Sequence, residues 1–455
     1  MNQIKRYLRR ELLPLLADLK LAIGLLLTIA LASASGTVIE QDQPLTFYQA
    51  NYPEDPALFG FLSWRVIQFL GLDQVYRTPW FLALLILFGS SLTACTYTRQ
   101  WPMLKVARRW SYYKKPASFA KLSLSTCESQ ESVQQLSPLL EQRGYTLFTE
   151  ADQLYARKGL LGKIGPIVVH ASMLLILVGA IAGIMTGFKG QALIPAGSTA
   201  PIQTYTAMGE WAQSHLPDWQ IQVNRFWIDY SPEGRIRQFY SDLSLVSETG
   251  EALTRKTIHV NQPLSYEGVT LYQADWSISA VVVRVNGSPP LQIPVRKLQS
   301  ETGAQLWGAF IPTRPDFTAG VTLILPDLQG TTLLYDEAGE LIGPLRRGMS
   351  QALSDRLTLY LDEVIGSTGL QIKSDPGIPL VYAGFALLML GVMMSYVSYN
   401  QIWALQTGEG LYIGGKANRA LVSFEREFMQ ILSQLRQTSA EVNATLDPDP
   451  LVTRF

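Results

Sequence analysis

His170 and Cys95 are the residues whose type and place could do chemistry, because each sits in or at the end of a stretch otherwise made of apolar side chains. An imidazole in hydrocarbon must find partners for its ring nitrogens, since unsatisfied polar groups there are costly. Three chemistries suit it: a structural hydrogen bond between helices, a step in a proton relay, or axial ligation of haem iron. His170 lies roughly 9 Å along a helix from Ile164, at about 1.5 Å per residue. The two other histidines, His215 and His259, belong to a segment expected on the opposite side of the bilayer. A second axial ligand must then come from elsewhere. Met393 and Met394, near one end of the last apolar stretch, are weak alternatives, and a histidine from a partner protein is the better source. Cys95 is read either as a small buried apolar residue or as a redox or haem-handling thiol. Cys127 has no feature that lifts it above the first reading. No CxxC or CxxCH occurs among these two cysteines, so covalent haem and a zinc site of ordinary spacing are not expected.

The elements that must position these residues follow from hydropathy. Four windows, Leu21 to Val38, Phe81 to Cys95, Ile164 to Phe188 and Ile378 to Tyr399, hold no Asp, Glu, Lys or Arg and suit membrane-spanning helices. The second is short unless it extends from Thr78 to Thr98, with Trp80 and Tyr97 as interfacial anchors. Lys5, Arg6, Arg9 and Arg10 place the N-terminus inside, and Arg99, Lys105, Arg108, Arg109, Lys114 and Lys115 place the segment after the second span inside too. By alternation the stretch from Lys189 to Gly377 is outside and the C-terminal tail inside. The basic start, the first apolar run and Ala32-Ser33-Ala34 also resemble a cleavable signal peptide, which would leave the later sides unchanged. Within the third window Gly179, Gly183 and Gly187 recur every four residues, a smooth ridge for a neighbouring helix. His170 points about 180° away from it.

The expected fold class is an integral membrane protein of about four transmembrane α-helices with a large extracytoplasmic β-rich domain, sandwich or barrel-like. Its parts are an N-terminal tail with spans 1 and 2 (1–98), a small inner α+β loop domain (99–163), span 3 (164–188), the outer β-rich domain (189–377), span 4 (378–399) and an inner tail with an amphipathic helix (400–455). The inner loop reads as a strand near Lys121 to Ser125, a helix near Glu131 to Arg143 and a hairpin through Tyr145 to Phe148 and Gln153 to Ala156. Turn signals at Pro232-Glu233-Gly234, Glu248-Thr249-Gly250, Asn286-Gly287 and Glu337-Ala338-Gly339 separate β-rich runs in the outer domain. In the tail, Leu421, Phe424, Phe428, Ile431 and Leu435 mark a helix that lies on the membrane surface or packs on a partner. Lys+Arg and Asp+Glu balance at 37 each, so no basic field favours nucleic acid.

Taken in order, LADLKLAI (Leu16 to Ile23), SGTVIEQ (Ser35 to Gln41), SLTACTYTR (Ser91 to Arg99), GKIGPIVVHAS (Gly162 to Ser172), FWIDYSPEG (Phe226 to Gly234), SDLSL (Ser241 to Leu245) and KTIHVNQPLSYEGVTLYQADW (Lys256 to Trp276) resemble the CcsB/ResB family of system II cytochrome c biogenesis proteins. The resemblance is to photosynthetic members. It implies an accessory, non-catalytic subunit of a membrane haem lyase complex, acting with a CcsA-type partner to deliver haem b and help attach it to apocytochrome c. It implies that His170 is an axial haem ligand, that haem is held transiently and shared with the partner, and that Cys95 matches a family cysteine of less clear role. It also implies a thylakoid membrane with the large domain in the lumen, or a bacterial inner membrane with that domain in the periplasm. The partner's tryptophan-rich haem-handling motif has no counterpart among the ten Trp here. Rival readings are a scaffold for partner and substrate that touches no haem, and a thiol-reductant carrier using Cys95. The segment Lys256 to Trp276 is read either as a docking surface or as core strand, turn and strand.

Overall fold

The computed structural model describes residues 8–298, 305–313, 319–354 and 357–446. Among them four helices are long and apolar enough to cross a membrane: Leu19–Val38, Pro79–Arg108, Leu161–Thr186 and Ile378–Tyr396. Asp18 caps the first by accepting the Lys20 amide hydrogen, and Thr78 accepts the Phe81 amide hydrogen at the start of the second, where Pro79 supplies a preset φ. Leu27, Leu31, Val38, Met389 and Met393 are more than half exposed along these helices, as lipid-facing side chains must be.

The chain divides into two compact units. One holds the first, second and fourth spans, most of the third, and a five-stranded antiparallel sheet in the order Leu124–Glu128, Gly410–Ala417, Asn400–Thr407, Gln153–Lys158, Thr146–Glu150. The strand, helix and hairpin expected after the second span are present, with the helix at Val133–Gln142 closed by a Ser132/Gln135 capping box. The tail, however, supplies two of the sheet's three interior strands, the middle one included, so the inner loop and the tail form one folded body. The amphipathic helix Leu421–Leu446 packs Phe424, Phe428, Ile431 and Leu435 with Leu136 and Leu140 against this sheet. Its apolar stripe is therefore covered by its own chain rather than by a membrane surface or a partner. Arg436 clamps Glu128 with two hydrogen bonds, 2.6 and 2.9 Å, and Lys158 pairs with Glu427 at 2.9 Å.

The second unit is β-rich. A four-stranded sheet (Thr199–Ala200, Gln220–Tyr230, Ile236–Val246, Ala252–His259) and a five-stranded sheet (Arg296–Leu298, Leu306–Pro312, Gly320–Leu325, Thr331–Tyr335, Leu341–Arg346) pack on one long ribbon made by Val269–Val285 and Leu357–Ser374. The ribbon bulges three times along its register, which re-aims it to close two apolar cores. Ile221, Val223, Leu243 and Leu245 meet Leu271 and Ile372 in one; Trp307, Leu323 and Leu325 meet Val281 and Leu361 in the other. The sandwich expectation holds, but doubled. All four turn signals carry a glycine at positive φ, among them Gly234 at 79° and Gly339 at 82°. The segment Lys256 to Trp276 runs through strand, turn and strand with Ile258, Leu264, Val269 and Leu271 buried, so it is built into the core. The loop after the first span belongs to this unit, tied by Lys189 to Asp42 at 3.0 Å.

Glycines set the helix spacing, though not as the ridge reading has it. A Cβ on Gly384 or Gly391 of the fourth span would lie 2.6 Å from Ile176 and 2.8 Å from the Val169 nitrogen of the third. Gly183 and Gly187 instead face the turn Ser374–Gly377, where Asp375 and the Ser374 carbonyl would meet their Cβ atoms at 2.4 and 2.8 Å. They accommodate a loop, not a helix.

Candidate functional site

Pro102 has no N–H to give the Thr98 carbonyl, and its ring crowds that oxygen. The second span answers by widening: Thr96–Gln100 form one π-helical turn between the α-helical stretches Pro79–Cys95 and Trp101–Arg108. Such turns are uncommon and recur at functional sites. Here it sets Thr96 and Gln100 side by side against His170 of the third span. Thr96 Oγ1 lies 3.0 Å from His170 Nδ1, and Gln100 Nε2 lies 3.0 Å from His170 Nε2.

The direction of each hydrogen bond follows from the groups' capacities. The Thr96 hydroxyl donates to the Leu92 carbonyl at 2.8 Å, so toward His170 its oxygen accepts. With the hydroxyl proton placed there Nδ1 is the protonated ring nitrogen, and the Leu92 carbonyl, 3.4 Å from Nδ1, is a second acceptor on the same side. The imidazole is then the neutral Nδ1–H tautomer, and Nε2 holds the lone pair. Gln100 donates to that lone pair through its amide nitrogen. The reverse network, with the Thr96 hydroxyl donating to Nδ1 and Nε2–H donating to a turned Gln100 amide, uses the same atom positions. The cost of the first network is visible, because among the described residues Gln100 Oε1 is buried with no partner, an omission worth about 1–3 kcal/mol.

His170 and Cys95 line the same cavity, of about 220 Å3, with Leu19, Ile23 and Leu26 from the first span, Phe88 and Leu92 from the second and Met173 from the third. Ser91, 1% exposed, donates to the Leu16 carbonyl at 2.7 Å and fixes the approach to the first span against this wall. Gly89 admits Leu174 and Leu177 close to the second span. The structure thus brings together His170 and Cys95, which the sequence singles out separately. Met393 is 68% exposed on the fourth span, and neither it nor Met394 is among the residues lining the cavity. Gly384 and Gly391 bring the fourth span against Ile176 and Val169. His170 also lies level with Gln100, next to exposed Arg99, and so nearer the polar end of its span than a count from Ile164 suggests.

In the first network the donor set fits haem iron: a neutral imidazole with its lone pair on Nε2, its other nitrogen hydrogen-bonded, an apolar wall and an unsatisfied amide beside it. The cavity is smaller than the roughly 300–1,000 Å3 of pockets that enclose a whole ligand. It offers one imidazole, one thiol and an apolar wall. Thr96, Gln100 and Met173 escaped the sequence reading. The signal for the first two was present in Ser91, Thr93, Thr96 and Thr98, an unusual run of hydroxyls near the end of an apolar helix, followed by Pro102.

The ResB-like family pattern matches residues 19–327 and 336–429. Curated relatives cover the chain almost end to end. A cytochrome c biogenesis protein CcsB of Synechococcus sp. (strain JA-3-3Ab) is 63% identical over 99% of this chain and 95% of its own length. The proteins of that name from Thermosynechococcus vestitus and Trichormus variabilis are 58% and 56% identical, covering 94% and 96% of this chain and 97% and 95% of their own.

Proposed function

The chain belongs to the ResB-like family, and from that premise we propose that it serves cytochrome c biogenesis by presenting haem b to a partner of the CcsA type for attachment to apocytochrome c. The observation that carries this is the place of His170: an imidazole held through Nδ1 by Thr96 that lines an apolar cavity together with Cys95. One imidazole supplies one axial position, and the cavity is smaller than pockets that enclose a whole ligand. Both facts favour haem shared with a second protein that brings the other ligand and the other wall. Haem is cargo in this reading, and this chain's residues bind and orient it. Attachment joins haem vinyl groups to reduced thiols of the substrate, which positioning can accelerate without a nucleophile from this chain.

The basic residues after the second span support an inner location for the shared sheet, and alternation then sets the β-rich unit on the outer side, lumenal in a thylakoid or periplasmic in a bacterial inner membrane. The test is to purify the full chain with its partner and record the haem absorption spectrum. His170→Ala should remove or shift the haem bands and lower cytochrome c maturation. An unchanged spectrum and normal maturation would leave the scaffold reading instead. Cys95, on the same cavity wall, supports one further reading, a thiol that keeps haem or substrate reduced; normal maturation in Cys95→Ser would dismiss it.

A further inference from the structure

Resting on the reading of His170 as a haem ligand, we propose that Gln100 is a displaceable cap on the ligating nitrogen and that Thr96 is the positioning residue that selects the ligating tautomer. A neutral imidazole has two tautomers of similar energy in water, and only one leaves Nε2 bare. Thr96 decides between them. With its own proton on the Leu92 carbonyl 2.8 Å away, it accepts from Nδ1. Without that acceptor only the longer contact to the Leu92 carbonyl, 3.4 Å, remains on the Nδ1 side, and Nε2–H gains, with the Gln100 amide turned over to accept from it. The ligating lone pair would then be lost.

Gln100 has the complementary part. Its amide nitrogen occupies Nε2 at 3.0 Å, and its oxygen is buried without a partner. A side chain that satisfies one end and strands the other holds its place weakly. When iron takes Nε2, the amide swings out and its oxygen gains a partner, so part of what the lost hydrogen bond contributed is recovered. The π-turn places both residues on one face, and neither contact requires movement of the helices. An imidazole left bare in hydrocarbon would pay for its unpaired nitrogen while no haem is bound, or would recruit water into the span. The cap avoids both and yields to the metal.

Two readouts test this on the full chain in detergent micelles or nanodiscs, titrated with haem b. The first needs no haem. The chain has three histidines, so in a ring-15N-labelled sample the His170 signals are those missing from His170→Ala. They should show one neutral tautomer with a bare Nε2. Thr96→Val should mix the tautomers, and Thr96→Ser, which keeps the hydroxyl, should restore the single form. An unaltered tautomer in Thr96→Val overturns the positioning role. The second readout is haem affinity. Thr96→Val should weaken it by roughly 10–100-fold, the range of second-shell partners of metal-bound histidine, with rescue in Thr96→Ser. Gln100→Leu should tighten it about two- to tenfold, the worth of one hydrogen bond that no longer has to break. If His170→Ala abolishes binding while Gln100→Leu binds as the parent does or more weakly, the cap is wrong and the ligand assignment stands. If His170→Ala binds haem as the parent does, the ligand assignment itself is wrong, and the cap falls with it.

Discussion

Two buried polar clusters in this molecule are built from the same kinds of side chain and finished differently. In the β-rich unit Ser241 and Thr368 both donate to Gln273 Oε1, at 2.6 and 2.9 Å, and Gln273 Nε2 donates to the Asp275 carbonyl at 2.8 Å. Both ends of that glutamine are used. In the membrane-spanning unit Gln100 uses one end, and its oxygen has no partner. A closed network specifies and stiffens a core, whereas an open one stores an unmet hydrogen bond that a ligand can relieve. Burial runs the same way, since Ser241, Thr368 and Gln273 are buried whereas Thr96, Gln100 and His170 are half-buried.

The contrast breaks most readily at His170. His170→Ala should cost at least about tenfold in haem retained by the complex, given that second-shell partners alone are worth roughly 10–100-fold, while thermal unfolding of the protein changes little. A loss of folding instead would make the open cluster structural. The converse substitution, Gln273→Leu, removes three hydrogen bonds and leaves the Ser241 and Thr368 hydroxyls only each other, 2.8 Å apart, and should destabilise the β-rich unit by about 3 kcal/mol at roughly 1 kcal/mol for each lost bond. Denaturant unfolding followed by Trp fluorescence measures it, and haem binding should be untouched. Next is Gly391→Ala, whose Cβ would sit 2.8 Å from the Val169 nitrogen and 3.0 Å from its Cγ2. Overpacking of this kind costs about 1–3 kcal/mol, read as a lower unfolding temperature. The His170 ring signals should persist, because Thr96 and Gln100 lie on the second span and not the fourth.

The smallest effect expected is at the sheet shared by loop and tail. The Arg436 guanidinium holds the Glu128 carboxyl below the usual carboxylate range. A carboxylate with a lowered pKa contributes stability above its ordinary pKa and loses it as pH falls through the lowered one. Arg436→Ala should therefore cost about 1 kcal/mol near neutrality, discounted because the guanidinium is largely exposed. The same variant should flatten the stability decline on the acid side. An unchanged acid profile would mean that Glu128 is held by Thr126 and its surroundings alone.

Much of this was legible from residue order. The spans follow from long uncharged windows, and the hairpins of the β-rich unit from glycines at Gly234, Gly250, Gly287 and Gly339, whose positive φ is a local property. His170 and Cys95 stand out because each is rare in its setting. What escaped is non-local. Asn400–Thr407 and Gly410–Ala417 flank an ordinary turn and pair with strands far earlier in the chain, which no window of residues reveals. The amphipathic helix shows its apolar stripe but not what covers it. The partners of His170 depend on how a proline widens a helix one turn upstream, and the direction of the Thr96 hydroxyl is decided by the Leu92 carbonyl four residues before it. The doubled sandwich rests on bulges in two long strands, which side-chain alternation alone does not count.

The two tail strands of the sheet also order events in time. Ser123 bonds the Gly415 carbonyl across 292 residues of chain, so while a ribosome is still making the fourth span, the inner loop is complete yet has no tail strands to pair with. Val133–Gln142 and the hairpin Thr146–Lys158 must wait, apolar faces uncovered, until nearly the last residues emerge. A chain cut short before Asn400 would carry all four spans, His170 and its partners, and still expose an unfinished core to chaperones and proteases. The membrane-spanning unit therefore closes its sheet only once Asn400–Thr407 and Gly410–Ala417 are in place.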